Sequence, residues 1–427
     1  MTKAKKLRWL PLDNAAKIYP AARRQNWSNV FRLSATLTEA VDKKVLSSAL
    51  KKTLPRFPSI AVRLRHGLFW YYLEELSAAP ELKEEYSYPL TRMTKEETGK
   101  CALRVIVYKN RIAIEIFHSL TDGNGALVFL KTLVAEYLTQ KYSVNIPAEH
   151  GVLDRDEEPG DAELEDSYQK YAGKILASRK EKTAWHLSGT PESKGFLNLT
   201  CFELPTKAVL EKAHEYNVSL NTFISAAMMM AIQNMQQEKV IQQKLRKPIK
   251  VLIPVNLRKL FKSHTLRNFV LYTTPEILPK LGHYSFEEIC NVIHHHVALD
   301  VTPKQMSMKI AANVQSERVM ALKLTPLFIK NFVMKAVYDT VGECKSCLSL
   351  SNLGRADVPE EMKPYIKRFD FILGVQATCP SNCGVISYGD TLYINFIRNI
   401  RESDLEYNFY KVLKELSLPV RLQSNFN

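Results

Sequence analysis

The chain has 427 residues, of which 46% are hydrophobic and 24% charged, a composition typical of globular proteins. Its 15 glycines and 20 prolines exclude a collagen-like or broadly disordered chain, and at roughly 100–200 residues per domain its length indicates about two domains. Seven cysteines in a chain of this size do not favour a disulfide framework.

A formal net charge of +15 is the strongest departure from an average composition. It favours an anionic partner or, equally, a basic solvated surface. No zinc-finger, basic-zipper or RNA-binding signature accompanies the charge, so nucleic acid is not an expected partner. The basic residues 1–9 precede no apolar run, and Phe223–Ile232 is far shorter than the roughly 20 residues that cross a bilayer. We therefore expect no secretory signal, no transmembrane segment and a cytoplasmic protein.

The first unit, residues 1–150, ends in a hairpin followed by a helix. Arg104–Tyr108 and Arg111–His118 are β-rich, with the turn Lys109-Asn110 between them. Apolar residues recur at helical spacing from Ala126 to Tyr137, and Asp122 and Asn124 are both candidate caps for that helix.

Residues 151–180 contain the sharpest change in composition, an acidic stretch over 154–166. It predicts an exposed crossover linker followed by a helix, with an acidic interaction segment as the alternative. Residues 181–427 then form the second unit.

Strands and helices also mix in the second unit, so the sequence predicts an α/β or α+β fold with mixed sheets. Thr206 and Ser219 are candidate helix caps, and Gly389-Asp390 is a candidate hairpin turn. Strands are predicted at Phe196–Leu204, Ile249–Pro254, Cys347–Ser351, Phe369–Ala377, Gly384–Ser387 and Thr391–Phe396. Helices are predicted at Lys207–Tyr216, Thr222–Met235, Phe286–Asp300, Val314–Tyr338 and Asp404–Leu416.

The strand that ends at His118 carries the main chemical signal. Because side chains alternate along a strand, His118 shares an apolar face with Ile112, Ile114 and Ile116. An imidazole held there titrates near neutral pH and suits a base in a buried pocket, although a histidine at this place is commonly a satisfied core residue.

Acyl transfer requires such a base, because a hydroxyl or amine loses its proton as it attacks a thioester carbonyl. Asp122 is too close in sequence to be a second base, so we expect it to fix the local turn and orient His118. Gly123 permits an unusual backbone angle or the close approach of another segment.

The segment His118–Gly123 resembles the HxxxDG signature of the chloramphenicol-acetyltransferase-like superfamily, and it is most similar to the alcohol acetyltransferase branch. Other short motifs of that branch follow in the expected order and span almost the whole chain: Trp9–Asp13, Pro55–Pro58 with Gly67–Trp70, Pro254–Arg258, Arg267–Phe269 and Ser351–Gly354.

The resemblance implies two pseudo-symmetric subdomains in a V-shape with a central tunnel and His118 midway along it as the general base. It implies that Asp122 pairs with an arginine, for which Arg258 is our candidate; the alternative is that Arg258 is a surface charge. Ser351 or Asn352 is the candidate oxyanion donor, since charge develops on the carbonyl oxygen, although a turn explains both residues equally well.

The implied activity is the transfer of an acyl group from a thioester, acyl-CoA, to a hydroxyl acceptor, with a small-molecule alcohol or amine as the expected partner and no bound cofactor. Two alternatives stay open: an acyl-carrier protein as the donor, and a non-catalytic binding protein that keeps the fold. Phe117 stands where many condensation domains carry a second histidine, which argues against close kinship with peptide-bond-forming domains. The plant family's DFGWG motif is absent, so donor recognition does not carry over from the plant enzymes.

Two further groups have the residue types of a metal site. The pairs Cys344/Cys347 and Cys379/Cys383 have near-ligand spacing for zinc, but buried small hydrophobes explain them better. His294–His296 lie on a predicted helix, where adjacent side chains point about 100° apart and do not share a face. We expect no metal.

Overall fold

The computed structural model describes residues 7–21, 23, 29–86, 88–174, 183–318, 324–337, 345–376 and 379–425. The strands are β1 Trp9–Pro11, β2 Val30–Leu37, β3 Val62–His66, β4 Tyr71–Glu75, β5 Lys83–Glu84, β6 Leu103–Tyr108, β7 Arg111–Phe117, β8 Asn198–Pro205, β9 Ile249–Asn256, β10 Val270–Thr273, β11 Glu276–Ile277, β12 Leu348–Arg355, β13 Ile366–Ile372, β14 Ser381–Tyr388, β15 Thr391–Arg398 and β16 Arg421–Ser424.

The helices connect these strands and cover the sheets. They are α1 Ile18–Ala21, α2 Lys43–Thr53, α3 Lys95–Lys100, α4 Gly123–Tyr142, α5 Asp161–Leu164, α6 Ser167–Tyr171, α7 Thr206–Glu215, α8 Leu220–Lys239, α9 Arg258–Phe261, α10 Phe286–Asp300, α11 Pro303–Arg318, α12 Leu327–Val337 and α13 Asp404–Glu415. No helix in the described part of the chain is both long and apolar enough to cross a membrane.

The N-terminal sheet has the order β13-β2-β7-β6-β5, in which only the short β5 runs parallel to its neighbour. Its apolar face packs against α4, and α2 packs on α4. On the opposite face the buried Glu115 accepts hydrogen bonds from Arg32 Nε at 3.1 Å and from Arg104 Nη1 at 2.8 Å. The alternation along β7 therefore separates an apolar core from a buried polar network.

The C-terminal sheet has the order β10-β9-β12-β14-β15-β8-β16, with β11 also on β9. Strand β12 is parallel to both β9 and β14, and the rest of the pairs are antiparallel. The buried helix α8 lies against β9, with α10 and α13 packed around it. A third sheet, β1-β4-β3, is also formed by residues of the first unit.

One strand departs from the expected division of the chain at residue 181. Strand β13 belongs to the range 181–427, yet it pairs along its length with β2 and so completes the N-terminal sheet. Beside it, Gly384 of β14 lies so close that a Cβ there would stand 2.4 Å from the carbonyl oxygen of Phe371. The two large sheets therefore meet backbone to backbone at this point.

Most predicted elements are present, with shifted ends. The hairpin β6–β7 turns at Lys109, which has a φ of 51°, and the hairpin β14–β15 turns at Gly389. The helix predicted from Ala126 begins at Gly123 and ends at Tyr142, because Asp122 caps it through the backbone amides of Asn124 and Gly125. Asn124 lies inside the helix and is not its cap.

Helix caps and ends in the second unit show two further differences. Ser219 caps α8 as predicted, since its hydroxyl accepts from the Thr222 amide. The prediction for Thr206 is wrong: Thr206 is the first residue of α7, and Pro205 precedes the helix without a side-chain cap. The helix predicted over Val314–Tyr338 instead consists of α11, which begins at Pro303, and α12, with residues 319–323 outside the described part.

Candidate active site

His118 follows directly after β7, where the N-terminal sheet ends. Its backbone amide donates to the Asn29 carbonyl oxygen at 2.9 Å, which continues the pairing of β2 and β7 by one residue. Tyr19 of α1 stacks on the imidazole at 4.5 Å between ring centroids, and Phe31 meets it edge-on at 4.9 Å. The half-buried ring is therefore fixed on two sides by aromatic contact.

Asn268 determines the tautomer of the imidazole, that is, which ring nitrogen carries the proton. Its Nδ2 donates to the His118 carbonyl oxygen at 3.1 Å, and a carbonyl oxygen is always an acceptor, so this atom of Asn268 is the amide nitrogen. The other amide atom, Oδ1, therefore faces His118 Nδ1 at 3.1 Å. An acceptor at that distance requires a proton on Nδ1, which leaves the lone pair on Nε2. Nε2 has no partner among the described residues.

Burial lowers the pKa of His118 below its ordinary value of 6.5. Its own backbone carbonyl, the charge of Asp122 and the Asn268 hydrogen bond oppose that effect but do not cancel it. The imidazole is therefore neutral near pH 7, and it has an unshared electron pair that can take up a proton.

Asp13 stands behind Asn268. Its Oδ2 accepts from the Asn268 Nδ2 at 3.2 Å and from the Asn268 backbone amide at 3.3 Å, and its Oδ1 accepts from the Ala16 amide at 2.8 Å. Burial raises the pKa of Asp13 to about 6, although the Arg267 guanidinium opposes the shift. Asp13, Asn268 and His118 thus form one hydrogen-bonded series that starts near the chain's N-terminal end.

Asp122 does not contact the imidazole, because other groups use both of its carboxylate oxygens. Oδ1 accepts from the amides of Asn124 and Gly125 at the start of α4, and Oδ2 accepts from Arg258 Nη1 at 2.8 Å and from the Phe269 amide at 2.9 Å. Asp122 therefore joins the first turn of α4 to the segment that carries Asn268.

Arg258 is the arginine that meets Asp122, and it is not a surface charge: its side chain is 14% exposed, that of Asp122 3%. Its Nε donates to the Thr265 carbonyl oxygen at 2.7 Å, and its Nη2 donates to the Arg267 carbonyl oxygen. The ion pair therefore holds the residues on both sides of Asn268, so its effect on His118 is indirect.

Gly123 serves a close approach and not an unusual backbone angle. The φ of Gly123 is not positive. A Cβ at this position would stand 2.8 Å from a methyl group of Leu353. Gly125, two residues later, has even less space for a side chain. A Cβ there would stand 2.3 Å from the Leu266 carbonyl oxygen, which belongs to the segment before Asn268.

A cavity of about 300 Å³ lies where the two large sheets converge, and His118 is part of its wall. The same wall contains Ser351 and Asn352 of β12, which face the first unit from the second. Asn352 Oδ1 accepts from the Gly354 amide at 2.8 Å, so its carbonyl side also supports the local turn. Other lining residues include Tyr19, Phe31, Asn256, Asn268, Tyr272, Ser349, Phe371, Gln376 and Asn382.

Neither cysteine pair nor the histidine run forms a metal centre within the described residues, where no three His, Cys, Asp or Glu side chains are grouped for an ion. Cys344 lies outside those residues. Burial raises the pKa of the Cys347 thiol to about 12 and that of Cys383 well above its usual range. His294 and His295 meet at right angles on α10, and His295 Nδ1 lies 2.8 Å from the Asn291 carbonyl oxygen.

Three residues of this site were missed as functional residues. Asn268 and Asp13 belong to the ordered motifs Arg267–Phe269 and Trp9–Asp13, but nothing local assigns them a role. Nothing in the sequence pattern indicated a functional role for Tyr19. Each acts across a long stretch of chain: 150 residues separate His118 from Asn268, and 255 separate Asn268 from Asp13.

No protein-family model matches the sequence, and no curated protein sequence matches it. Solved structures do match over the whole chain. TRI101 of F. graminearum, solved with coenzyme A and deoxynivalenol, has a TM-score of 0.65 at 12% identity, covering 97% of this chain and 99% of that chain. The chain has the chloramphenicol-acetyltransferase-like fold.

Two other proteins with this fold show its range. TRI3, a trichothecene 15-O-acetyltransferase from Fusarium sporotrichioides, has a TM-score of 0.61 at 10% identity and covers 97% of this chain and 96% of that chain. The starter condensation domain of rhizomide synthetase, solved with C8-CoA, has a TM-score of 0.60 at 11% identity, covering 96% of this chain and 93% of that chain. The predicted fold and its mixed α/β class are therefore confirmed.

Proposed function

We propose that this chain is an acyltransferase that moves an acyl group from a thioester, acyl-CoA, to the hydroxyl group of a small molecule, in the manner of an alcohol O-acetyltransferase. His118 is the general base of the HxxxDG motif. The observation that carries the proposal is the hydrogen bond that Asn268 Oδ1 accepts from His118 Nδ1, which leaves Nε2 of a neutral, half-buried imidazole in the cavity wall as the proton acceptor.

The reaction uses Nε2 twice. As the acceptor oxygen attacks the thioester carbon, its proton passes to Nε2 and the carbonyl becomes an oxyanion. When the tetrahedral intermediate collapses, the carbon–sulfur bond breaks and the thiolate takes the proton back from Nε2. The products are an ester and a free thiol, and the imidazole returns to its neutral form.

The oxyanion needs a hydrogen-bond donor in the same cavity. Ser351 and Asn352 are the candidates, since both line the cavity from β12. Asp122 and Arg258 act through Asn268, since they fix the backbone on either side of it. We assign both as positioning residues, and Asp122 is also part of the cavity wall.

The structural neighbours support the choice of donor and acceptor. TRI101 was solved with coenzyme A together with deoxynivalenol, and the rhizomide synthetase condensation domain with C8-CoA. A donor of this kind is a polyanion, which a chain with a net charge of +15 attracts over a distance.

A carrier-protein thioester is the second candidate donor. The fold is shared with a condensation domain, and an acidic carrier protein suits the same net charge. A single assay that compares acetyl-CoA with acyl-carrier donors separates the two possibilities.

The test is a screen of acyl-CoA donors against varied alcohols and amines, read out by thiol release. The His118→Ala variant should lower kcat by roughly 10²–10⁴ because the proton acceptor is lost. His295→Ala is the matched control, since His295 lies on the exposed part of α10, and it should keep its activity within about twofold. Full activity in His118→Ala would exclude His118 as the base.

A further inference from the structure

An apolar surface lies outside the hydrophobic core, on α12 and the adjoining hairpin tip. Phe328 and Phe332, one helical turn apart, are 74% and 76% exposed, and Ile329 and Val333 are exposed beside them. Leu68 at the tip of the β3–β4 hairpin is 71% exposed. We call these residues, together with Leu324, the apolar face. Single exposed apolar residues are ordinary, but a group on one helix and its neighbour marks a contact surface.

The orientation of α12 is held by specific contacts on its inner side. The Leu327 amide donates to the Leu68 carbonyl oxygen at 2.9 Å, which ties the start of the helix to the hairpin tip. Lys330 is buried, donates to the Phe69 carbonyl oxygen at 3.0 Å and lies 3.5 Å from the centre of the Trp70 ring. A lysine therefore points inward while two phenylalanines point outward, the reverse of an ordinary surface helix.

The charge within residues 324–337 has one sign. Residues 324–337 contain Lys330 and Lys335 and no aspartate or glutamate, and Lys335 is exposed. Lys17 lies 5.1 Å from the centre of the Trp70 ring, but it is paired with Glu317 and adds no net charge to this surface. With the net charge of +15, this surface complements a partner that is both apolar and anionic.

The apolar face adjoins the wall of the reaction cavity. Helix α12 packs against α1, and Tyr19 of α1 is the residue that stacks on His118. A partner that binds α12 is thus one short helix away from the imidazole.

We propose that the apolar face docks on the surface of an anionic phospholipid bilayer. With eleven residues, α12 spans roughly 16 Å, about half the hydrocarbon thickness, so it lies in the interface with its phenylalanines among the acyl chains. Lys335 then meets the phospholipid headgroups. Membrane docking goes beyond the proposed acyl transfer. It is measured as binding to vesicles, which does not require catalytic activity.

Flotation with vesicles tests the proposal. The full chain should bind vesicles of phosphatidylcholine with about a third phosphatidylglycerol, and bind pure phosphatidylcholine at least about fivefold more weakly. Phe328→Ser with Phe332→Ser should lower the partition coefficient at least about tenfold, since both apolar anchors are lost. Lys335→Gln should lower it about fivefold on the anionic vesicles alone.

The matched control is Ile241→Ser with Leu245→Ser, which removes two apolar side chains of similar exposure, 87% and 61%, far from α12 in the sequence. This variant should bind as the unchanged chain does. The Phe328/Phe332 variant should also keep its turnover of a short, water-soluble alcohol, which shows that it is folded.

Three results would overturn the proposal. One is the absence of binding to either vesicle, and another is equal binding by the Phe328/Phe332 variant and the control. The third is a concentration-dependent dimer in light scattering that the Phe328/Phe332 variant abolishes, because a second copy of the chain would then cover the apolar face.

Discussion

At the scale of single residues, the proton position on His118 depends on an amide. Asn268 is useful because one of its two donors meets a carbonyl oxygen, which leaves its acceptor for Nδ1. A carboxylate at that place would also accept from Nδ1 but would repel Asp13, which lies 3.2 Å from the same side chain. An amide thus selects the tautomer without adding a charge to the buried site.

The first prediction concerns this amide. Asn268→Ala should lower kcat by roughly 10–100-fold with little change in KM, because the imidazole loses the group that fixes its tautomer. Asn268→Asp keeps an acceptor for Nδ1 and adds a negative charge, so it should raise the pKa of His118 and move the acid limb of the pH profile upward. Steady-state kinetics across pH measure both effects, and an unmoved limb in Asn268→Asp would contradict the assigned contact.

The second prediction is the pH profile of the unchanged protein. Burial lowers the pKa of His118, so the base form persists to lower pH, and the acid limb of kcat/KM should have its midpoint below 6.5. Asp13, with its pKa raised to about 6, titrates in the same region. Asp13→Asn is therefore the control: a limb that disappears in this variant would belong to Asp13 and not to His118.

At the scale of elements, the site depends on how α4 and the segment before β10 are joined. The carboxylate of Asp122 caps α4 and pairs with Arg258, whose other nitrogens bind the carbonyl oxygens of Thr265 and Arg267. One buried ion pair thus orients a helix from the first unit and a loop from the second.

The third prediction follows from that pair. Arg258→Met should lower the free energy of unfolding by about 3–5 kcal/mol, because it leaves the buried Asp122 charge without its partner. Arg421→Met is the control: Arg421 is 78% exposed and 3.9 Å from Glu203, so its loss should cost less than about 1 kcal/mol. Chemical denaturation of both variants measures the difference, and equal losses would show that the Asp122 pair is unimportant for stability.

Local pattern predicted the elements of this site better than their contacts. The alternation along β7, the turn at Lys109 and the cap at Asp122 depend on neighbouring residues, so a short window of sequence contains them. Arg258 was reached through the family resemblance. Asn268 and Asp13 were not assigned roles because their contacts depend on how separate elements pack, which no periodicity expresses.

The order of the strands in a sheet also cannot be read from local sequence pattern. The predicted strand Phe369–Ala377 is present as β13, shifted toward the N-terminus, but its apolar residues do not reveal which sheet it joins. Its partner β2 is more than 300 residues earlier in the chain, so only the folded arrangement shows the pairing.

At the scale of the whole molecule, the contact between the two large sheets requires a residue without a side chain at position 384. Gly384 is in extended backbone, and the Phe371 carbonyl oxygen occupies the space that a Cβ would need. Close packing of this kind leaves no room for an added methyl group.

The fourth prediction tests this contact. Gly384→Ala should lower the free energy of unfolding by about 1–3 kcal/mol through overpacking, and should reduce kcat because the cavity lies between the same sheets. Gly160→Ala, where a Cβ meets nothing within 4 Å, is the matched control and should change stability by less than about 0.5 kcal/mol. An unchanged denaturation midpoint in Gly384→Ala would mean that the sheets separate freely.

The crossing of β13 also sets the order in which the chain can fold during synthesis. Strand β2 emerges from the ribosome early, but its second neighbour is made only when residue 372 has been added. Until then the edge of the first sheet has open backbone hydrogen-bonding groups, which favour pairing with other chains. A truncated product that ends before β13 should therefore aggregate, and the two halves of this protein should not be separable into independently folding pieces.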